Sequence, residues 1–281
     1  MGRAHERPLD RNGGCGNGAR MRASAIVFAI LFAISSSRLR AEDGPICADR
    51  PGRSTSACTV PQGHWQVETG FIDTSLQKEG LEREIETVIG ETTLRYGLTD
   101  HSDIEIDVSP FVSSTSRNEP SQSGFGDIIA SYKHRLALDP RALDVSLMPF
   151  VKIPTAKRPL GNRKWEGGLL VPIDYTIGKS PFEINLTPEL DVVADMEGNG
   201  HHLAMVQVAS LGWQTSPRLN LSVEVWRQWD WDPSGTIRQL SLDGSMAYLI
   251  DQRTQLDAGL NVGLDSQTPD LEFSAGLSIL F

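Results

Sequence analysis

In the last eleven residues of the chain, apolar and polar side chains take opposite sides in turn. Leu271, Phe273, Ala275, Leu277, Ile279 and Phe281 share one face, while Glu272, Ser274, Gly276 and Ser278 share the other. Side chains repeat every two residues in a strand and every 3.6 in a helix, so this is a strand signal. Residues 254–264 repeat it, with Leu256, Ala258, Leu260, Val262 and Leu264 against Gln255, Asp257, Gly259 and Asn261. Such segments must build a sheet with one oily side and one wet side.

Ten more segments read the same way: 62–74, 84–97, 102–109, 126–136, 143–153, 167–177, 182–193, 202–213, 219–229 and 236–249. Most match the roughly nine to eleven residues of a tilted membrane crossing by a strand. In residues 143–153, Leu143, Val145, Leu147, Val151 and Ile153 oppose Asp144, Ser146 and Lys152. In 202–213 the faces are ambiguous, with Ala204, Val206 and Val208 against Leu203, Met205 and Gln207. Pro149, Pro172 and Pro188 each remove a ladder donor, and bulges are the expected remedy.

The connections alternate in length. Short turns fall at 98–101, 137–142, 178–181, 214–218 and 250–253. Longer links fall at 75–83, 110–124, 154–166, 194–201, 230–235 and 265–270. Tight turns on one rim and long loops on the other, with both termini on the turn side, demand an even strand count. Tyr96, Phe182, Trp213, Tyr248 and Phe281 fall by the turns, and Phe71, Phe111, Trp165, Trp229 and Trp231 by the loops, as in two interfacial girdles. The fold class is therefore all-β: a transmembrane antiparallel β-barrel of about twelve strands, of bacterial outer-membrane type, its oily face on lipid and its polar face on a lumen. No run approaches the ~18 apolar residues of a helical span.

The start of the chain agrees with export. Arg22, the apolar run 25–34 and the small residues through Ala41 have the layout of a signal peptide, with Met21 read as the initiator and residues 1–20 as a start-site overcall. The expected organisation is thus 1–20 unstructured, 21–41 signal, 42–61 a periplasmic N-terminal segment and 62–281 the barrel. Residues 1–41 hold seven of the 26 Lys and Arg and two of the 36 Asp and Glu, leaving 19 against 34, a net of −15 instead of −10. That balance argues against nucleic acid as a partner. Cys47 and Cys58 remain in an exported segment, where a disulfide closing the loop between them is expected; the other reading is two free thiols.

By this register the lumen is lined by Glu105, Asp107, Lys133, Arg135, Lys152, Glu183, Glu189, Asp191, Glu224 and Asp257, among others. Acids outnumber bases about fourteen to four on that face, which favours cations if the lumen is open. The same charges could instead pair across strands and close a narrow barrel. No Ser-centred motif accompanies His64, His101, His134, His201 or His202, so no catalytic residue is assigned. His201-His202 reads as a solvated pair, and Gly124-Phe125-Gly126 as a turn, since no helix follows to make a phosphate loop. No metal ligand set and no cofactor are expected.

Several motifs resemble one family. Asp49-Arg50-Pro51, then Thr59-Val60-Pro61-Gln62-Gly63-His64-Trp65-Gln66-Val67-Glu68-Thr69-Gly70, is similar to the N-terminal signature of the transporters grouped with the phenol meta-degradation pathway. Thr93-Leu94-Arg95-Tyr96-Gly97-Leu98-Thr99-Asp100, Gly126-Asp127 with Lys133, Lys152-Ile153-Pro154-Thr155 and Phe273-Ser274-Ala275-Gly276-Leu277-Ser278 with Phe281 follow in the family's order. The chain departs at Gly52-Arg53, where the family more often carries an acidic or apolar residue. The resemblance implies an outer-membrane barrel with a small-molecule transport role, linked to uptake of aromatic compounds. A structural or adhesive closed barrel is the second reading and a lipid-modifying enzyme the third. Likeness to outer-membrane barrels in general implies lipid and the assembly machinery as partners, with Phe281 as the assembly signal.

Overall fold

The computed structural model describes residues 46–79, 82–117, 120–138 and 142–281. The signal-like segment, Met21 and the Asp139-Pro140 turn lie outside the described residues. Among the described residues strands alone make up the regular structure: β1 (Trp65–Glu79), β2 (Glu82–Ile89), β3 (Thr92–Thr99), β4 (Ser102–Val108), β5 (Phe111–Ser116), β6 (Gln122–Gly124), β7 (Ile128–Leu136) and β8 (Leu143–Ile153). There follow β9 (Glu166–Leu170), β10 (Ile173–Thr176), β11 (Phe182–Ala194), β12 (His201–Ser216), β13 (Leu219–Asp230), β14 (Ile237–Asp251), β15 (Thr254–Gly263) and β16 (Leu271–Leu280).

Four staves of the wall are each broken in two, as β2/β3, β4/β5, β6/β7 and β9/β10, so the sixteen stretches make twelve staves. Every neighbouring pair is antiparallel. The sheet closes where β1 pairs β16, from Gln66 opposite Leu280 to Leu76 opposite Leu271. Closure gives every stave a partner on each side, so each can satisfy its backbone inside lipid, and only β6, paired to β5 alone, keeps an open edge among the described residues.

Burial is inverted relative to a water-soluble protein. The most deeply buried large side chains include Arg95, Lys133, Gln66, Glu68 and Asp103, whereas Ile104, Leu190, Val223, Leu260 and Phe273 lie exposed on the outside. That inversion is what a wall between lipid and a polar lumen requires. The ambiguous β12 turns Ala204, Val206 and Val208 inward and Leu203 outward, and Val206 and Val208 pack with Trp226 inside the barrel.

Two expectations need correction. The links read at 75–83 and 110–124 are largely strand: β1 runs to Glu79, β2 starts at Glu82, and β5 and β6 form a further hairpin that pairs β2. The prolines, moreover, are not absorbed by bulges. Pro172 falls in the gap between β9 and β10, the ladder beside Pro149 is interrupted without change of register, and Pro188 faces its pairing partner Gln207. Register shifts occur elsewhere, at Gly70/Ile72, Gly97/Thr99, Gln214/Ser216 and Leu249/Asp251.

Candidate functional site

The stretch 46–61 has no periodicity, yet its arginines and backbone N–H groups need acceptors, and the lumen wall supplies them. Asp49 N and Arg50 N donate to Glu68 on β1 at 3.0 and 3.2 Å, and Val60 N to Asp103 on β4 at 2.7 Å. Arg95 on β3 donates to Cys47 O at 2.7 Å, Lys133 on β7 to Asp49 at 2.7 Å, and Ser146 on β8 to Ala57 O at 2.5 Å. Ala57 N and Ser56 Oγ both donate to Asp174 on β10 at 2.8 Å, while Asn185 on β11 donates to Thr55 O at 2.8 Å.

On the far side of the barrel, Glu224 on β13 accepts from Arg53 N, Ser54 N and Ser54 Oγ, and Arg50 Nε lies 3.4 Å from Asp257 on β15. Arg53 reaches Asp243 on β14 at 3.4 Å and pairs with Glu272 on β16. One segment that touches eleven of the twelve staves can lie only inside the ring. The reading of 42–61 as a periplasmic appendage is therefore corrected from residue 46 onward: this is a plug, threaded through the lumen. Cys47 and Cys58 are joined as a disulfide that closes its central loop.

The wall is shaped to admit it. A Cβ on Gly97 would stand 2.0 Å from Pro61 O, and one on Gly276 would stand 2.6 Å from Arg50 Nε. Glycine at these two strand positions lets plug and wall approach closely.

Fastening is uneven around the ring. On the β1, β3, β4 and β7 side, Arg95 is wholly buried among Asp49, Glu68, Asp103 and Glu105, each 3.0 to 3.1 Å away, and Lys133 meets Asp49 and Glu105. Burial alone would raise the Asp49 carboxyl, but the Arg95 and Lys133 charges hold it below its ordinary value of 3.8. The opposite wall presents small polar groups. A cavity of about 400 Å³ lies there between plug and wall, bordered by Asn185, Ser210, Gly212, Asn220 and Ser222. A second, of about 360 Å³, faces the long-loop rim between Asp73, Glu86, Glu91 and Glu272. Arg50, Pro51 and Gly52 border both. The plug is thus the partition between an inner and an outer chamber.

The remaining charged positions singled out in the sequence are scattered. Asp107 accepts from Thr93 Oγ1, Arg135 sits at the turn rim by Asp100 O and His101, and Lys152 pairs with Asp127 and Glu166 near the long-loop rim. Glu183 borders the inner cavity, Asp191 is buried, and Glu189 beside it is half-buried. Among the described residues, only Glu105, Lys133, Glu224 and Asp257 of that set pair with the plug or its anchors. Phe281 N donates to Trp65 O at 2.7 Å, which ties the last residue to the first strand.

Sequence reasoning met Arg50 only within a family signature and Arg53 only as a departure from it, gave neither a role, and did not single out Trp226. Arg53 Cζ stands 4.5 Å over the Trp226 ring. The one available signal was two arginines in a segment facing an acidic lumen.

At the long-loop rim His202 corrects the reading of a solvated pair. His201 is exposed, but His202 is nearly enclosed, with Nδ1 2.8 Å from Asp195 and Nε2 2.6 Å from Asp230. Asp195, His202 and Asp232 hold their ligand-type atoms within 4.8 Å of one another. The Ser234 hydroxyl, the Met196 N–H and the nearby His202 hold Asp232 at about 2. With carboxylates on both ring nitrogens, His202 has no free nitrogen to serve a nucleophile as base.

In fold the chain is similar to an outer membrane channel from Pseudomonas putida F1, with 15% identity over 82% of this chain and 99% of that one at a TM-score of 0.65. It is also similar to the porin NanC, with 9% identity over 76% and 98% at 0.50, and to the translocator domain of the autotransporter NalP from Neisseria meningitidis, with 11% identity over 78% and 89% at 0.50. No curated protein matches the chain in sequence. The likeness is one of fold, a porin-like barrel of the cell outer membrane. Residues 48–281, plug included, match the model of the family described as "Putative MetA-pathway of phenol degradation", and the chain belongs to that family.

Proposed function

We propose that the barrel is a gated passage for small solutes across the outer membrane, with the segment 46–61 as its gate. The observation that carries this is the partition: Arg50, Pro51 and Gly52 separate two chambers that the wall itself leaves open. A purely structural barrel has no need of a lumen blocked by a separable, disulfide-closed loop. An enzyme would need a nucleophile and a base within reach, and His202 is spent on carboxylates.

The lumen offers carboxylates, amides and hydroxyls, which suit polar and charged solutes, cations above all. An aromatic cargo is the finer reading, and the family's description is its ground.

Planar-bilayer conductance tests the reading. Wild-type protein should give small steps that prefer cations at low salt. A variant lacking residues 46–58, checked for heat-modifiable migration, should give larger ones. The preference should weaken as salt shortens the screening length from about 10 Å toward about 3 Å. Silence from both proteins would leave a closed barrel with a structural or adhesive role.

A further inference from the structure

Arg53 does more than fill space. Its guanidinium lies over the face of Trp226 at 4.5 Å, with Nε 3.4 Å from Asp243 and Nη2 paired to Glu272. Trp226 is 9% exposed and packs with Val206 and Val208, so its ring is largely shielded from water, which strengthens its attraction for a cation. Two carboxylates set around an aromatic face match a flat, delocalised cation better than a compact hydrated ion.

The plug's backbone is held separately. Glu224 takes Arg53 N, Ser54 N and Ser54 Oγ, which leaves the side-chain seat independent of that clamp.

The seat also has spare acceptors and an approach. Both carboxylate oxygens of Asp243 are buried and accept no hydrogen bond among the described residues, and beside the seat, next to Arg50, the same holds for Asp257 Oδ2 and Asp73 Oδ2. Around them Arg50 and Arg53 face Asp73, Glu91, Glu224, Asp243, Asp257 and Glu272, two plug cations against six acids. Arg53 and Glu272 border the outer chamber, whose other carboxylates are Asp73, Glu86 and Glu91. A cation arriving from the long-loop side is drawn down that acidic funnel to the seat.

We propose that the place occupied by Arg53, formed by Asp243, Glu272 and Trp226, is a binding site for a guanidinium-bearing solute, and that Arg53 is the built-in mimic of that solute. The inference rests on the gated-passage reading and names the solute class of that passage. An arriving cation takes the Arg53 position, and the plug loses its side-chain hold on Trp226, β14 and β16, while the Glu224 clamp on β13 remains.

The test is chemical rescue. Arg53→Ala empties the seat, and Arg53→Gln is a second variant of nearer shape should the first fold poorly; heat-modifiable migration verifies both. Their currents should exceed the wild-type current. Methylguanidinium added on the long-loop side should block the variants at about tenfold lower concentration than it affects wild type, and methylurea, the neutral analogue, should not. Adding Trp226→Leu or Asp243→Asn to Arg53→Ala should weaken that block by about tenfold. Equal block of wild type and variants, or equal action of methylurea, would overturn the site.

Should none of the proteins conduct, the passage reading fails, and calorimetry of the detergent-purified variants with methylguanidinium still decides the seat. Saturable binding that Asp243→Asn removes supports it. Absence of binding overturns it.

Discussion

Arg95 shows how far a single residue can commit a barrel to one interior. It has no exposed side-chain surface and four carboxylates within 3.1 Å, so its loss would strand Asp49, Glu68, Asp103 and Glu105 together. Removing one partner of such a buried network costs about 3 to 5 kcal/mol, because the remaining charge is uncompensated. Arg95→Met should therefore sharply lower the urea midpoint followed by tryptophan fluorescence in detergent. Lys152→Met, which breaks pairs with Asp127 and Glu166 where water still reaches all three side chains, should lower it less. Equal midpoints for the two variants would show that the Arg95 network contributes no more than these partly wet pairs. Alternation sorts Arg95, Glu105 and Lys133 to one face, but nothing local to Lys133 announces Asp49, 84 residues away, as its partner.

At the scale of elements, the plug and the strands were unequally legible, for a physical reason. A strand between lipid and lumen must alternate, so its sequence records its surroundings. The plug is surrounded by polar wall on all sides and records nothing periodic. Its partners lie 18 to 219 residues away, on strands that need only be polar. The same logic explains the mistaken loops: the end of β1 carries Ser75, Gln77 and Lys78, and β5 carries Ser113, Ser114 and Thr115, polar on both faces, because strand that rises past the lipid is wet on both sides. Two-sided polarity reads as loop. The disulfide between Cys47 and Cys58 closes a short loop in the plug, and such closure removes at most about 3 kcal/mol of freedom from the open form. Replacing both cysteines by serine should raise the mean current and leave heat-modifiable migration unchanged, since β1 through β16 do not depend on that bond. Loss of the folded band would mean that the plug is needed to build the barrel, not merely to shut it.

For the whole molecule, the count of twelve staves followed from the number of period-two segments, its evenness from the alternation of tight turns and long links, and the lipid-facing and lumen-facing faces from period two. What neither gives is the direction in which the acidic funnel opens. The connections at 154–165, 195–200 and 231–236 share the rim of the outer chamber, while the turns at 178–181 and 250–253 share the rim where Ile46 N meets Gln252 O. Barrels of this type put tight turns in the periplasm, so the funnel should face the cell's surroundings. In a background lacking Cys47 and Cys58, Asn199→Cys, exposed in the 195–200 link, should react with an impermeant maleimide on intact cells. Lys179→Cys, exposed in the 178–181 turn, should react only after the outer membrane is breached. The reverse labelling would keep the fold but turn the chambers around. Cations would then reach Asp73, Glu86, Glu91 and Glu272 from the periplasm, and the seat of Arg53 would be loaded by solutes leaving the cell.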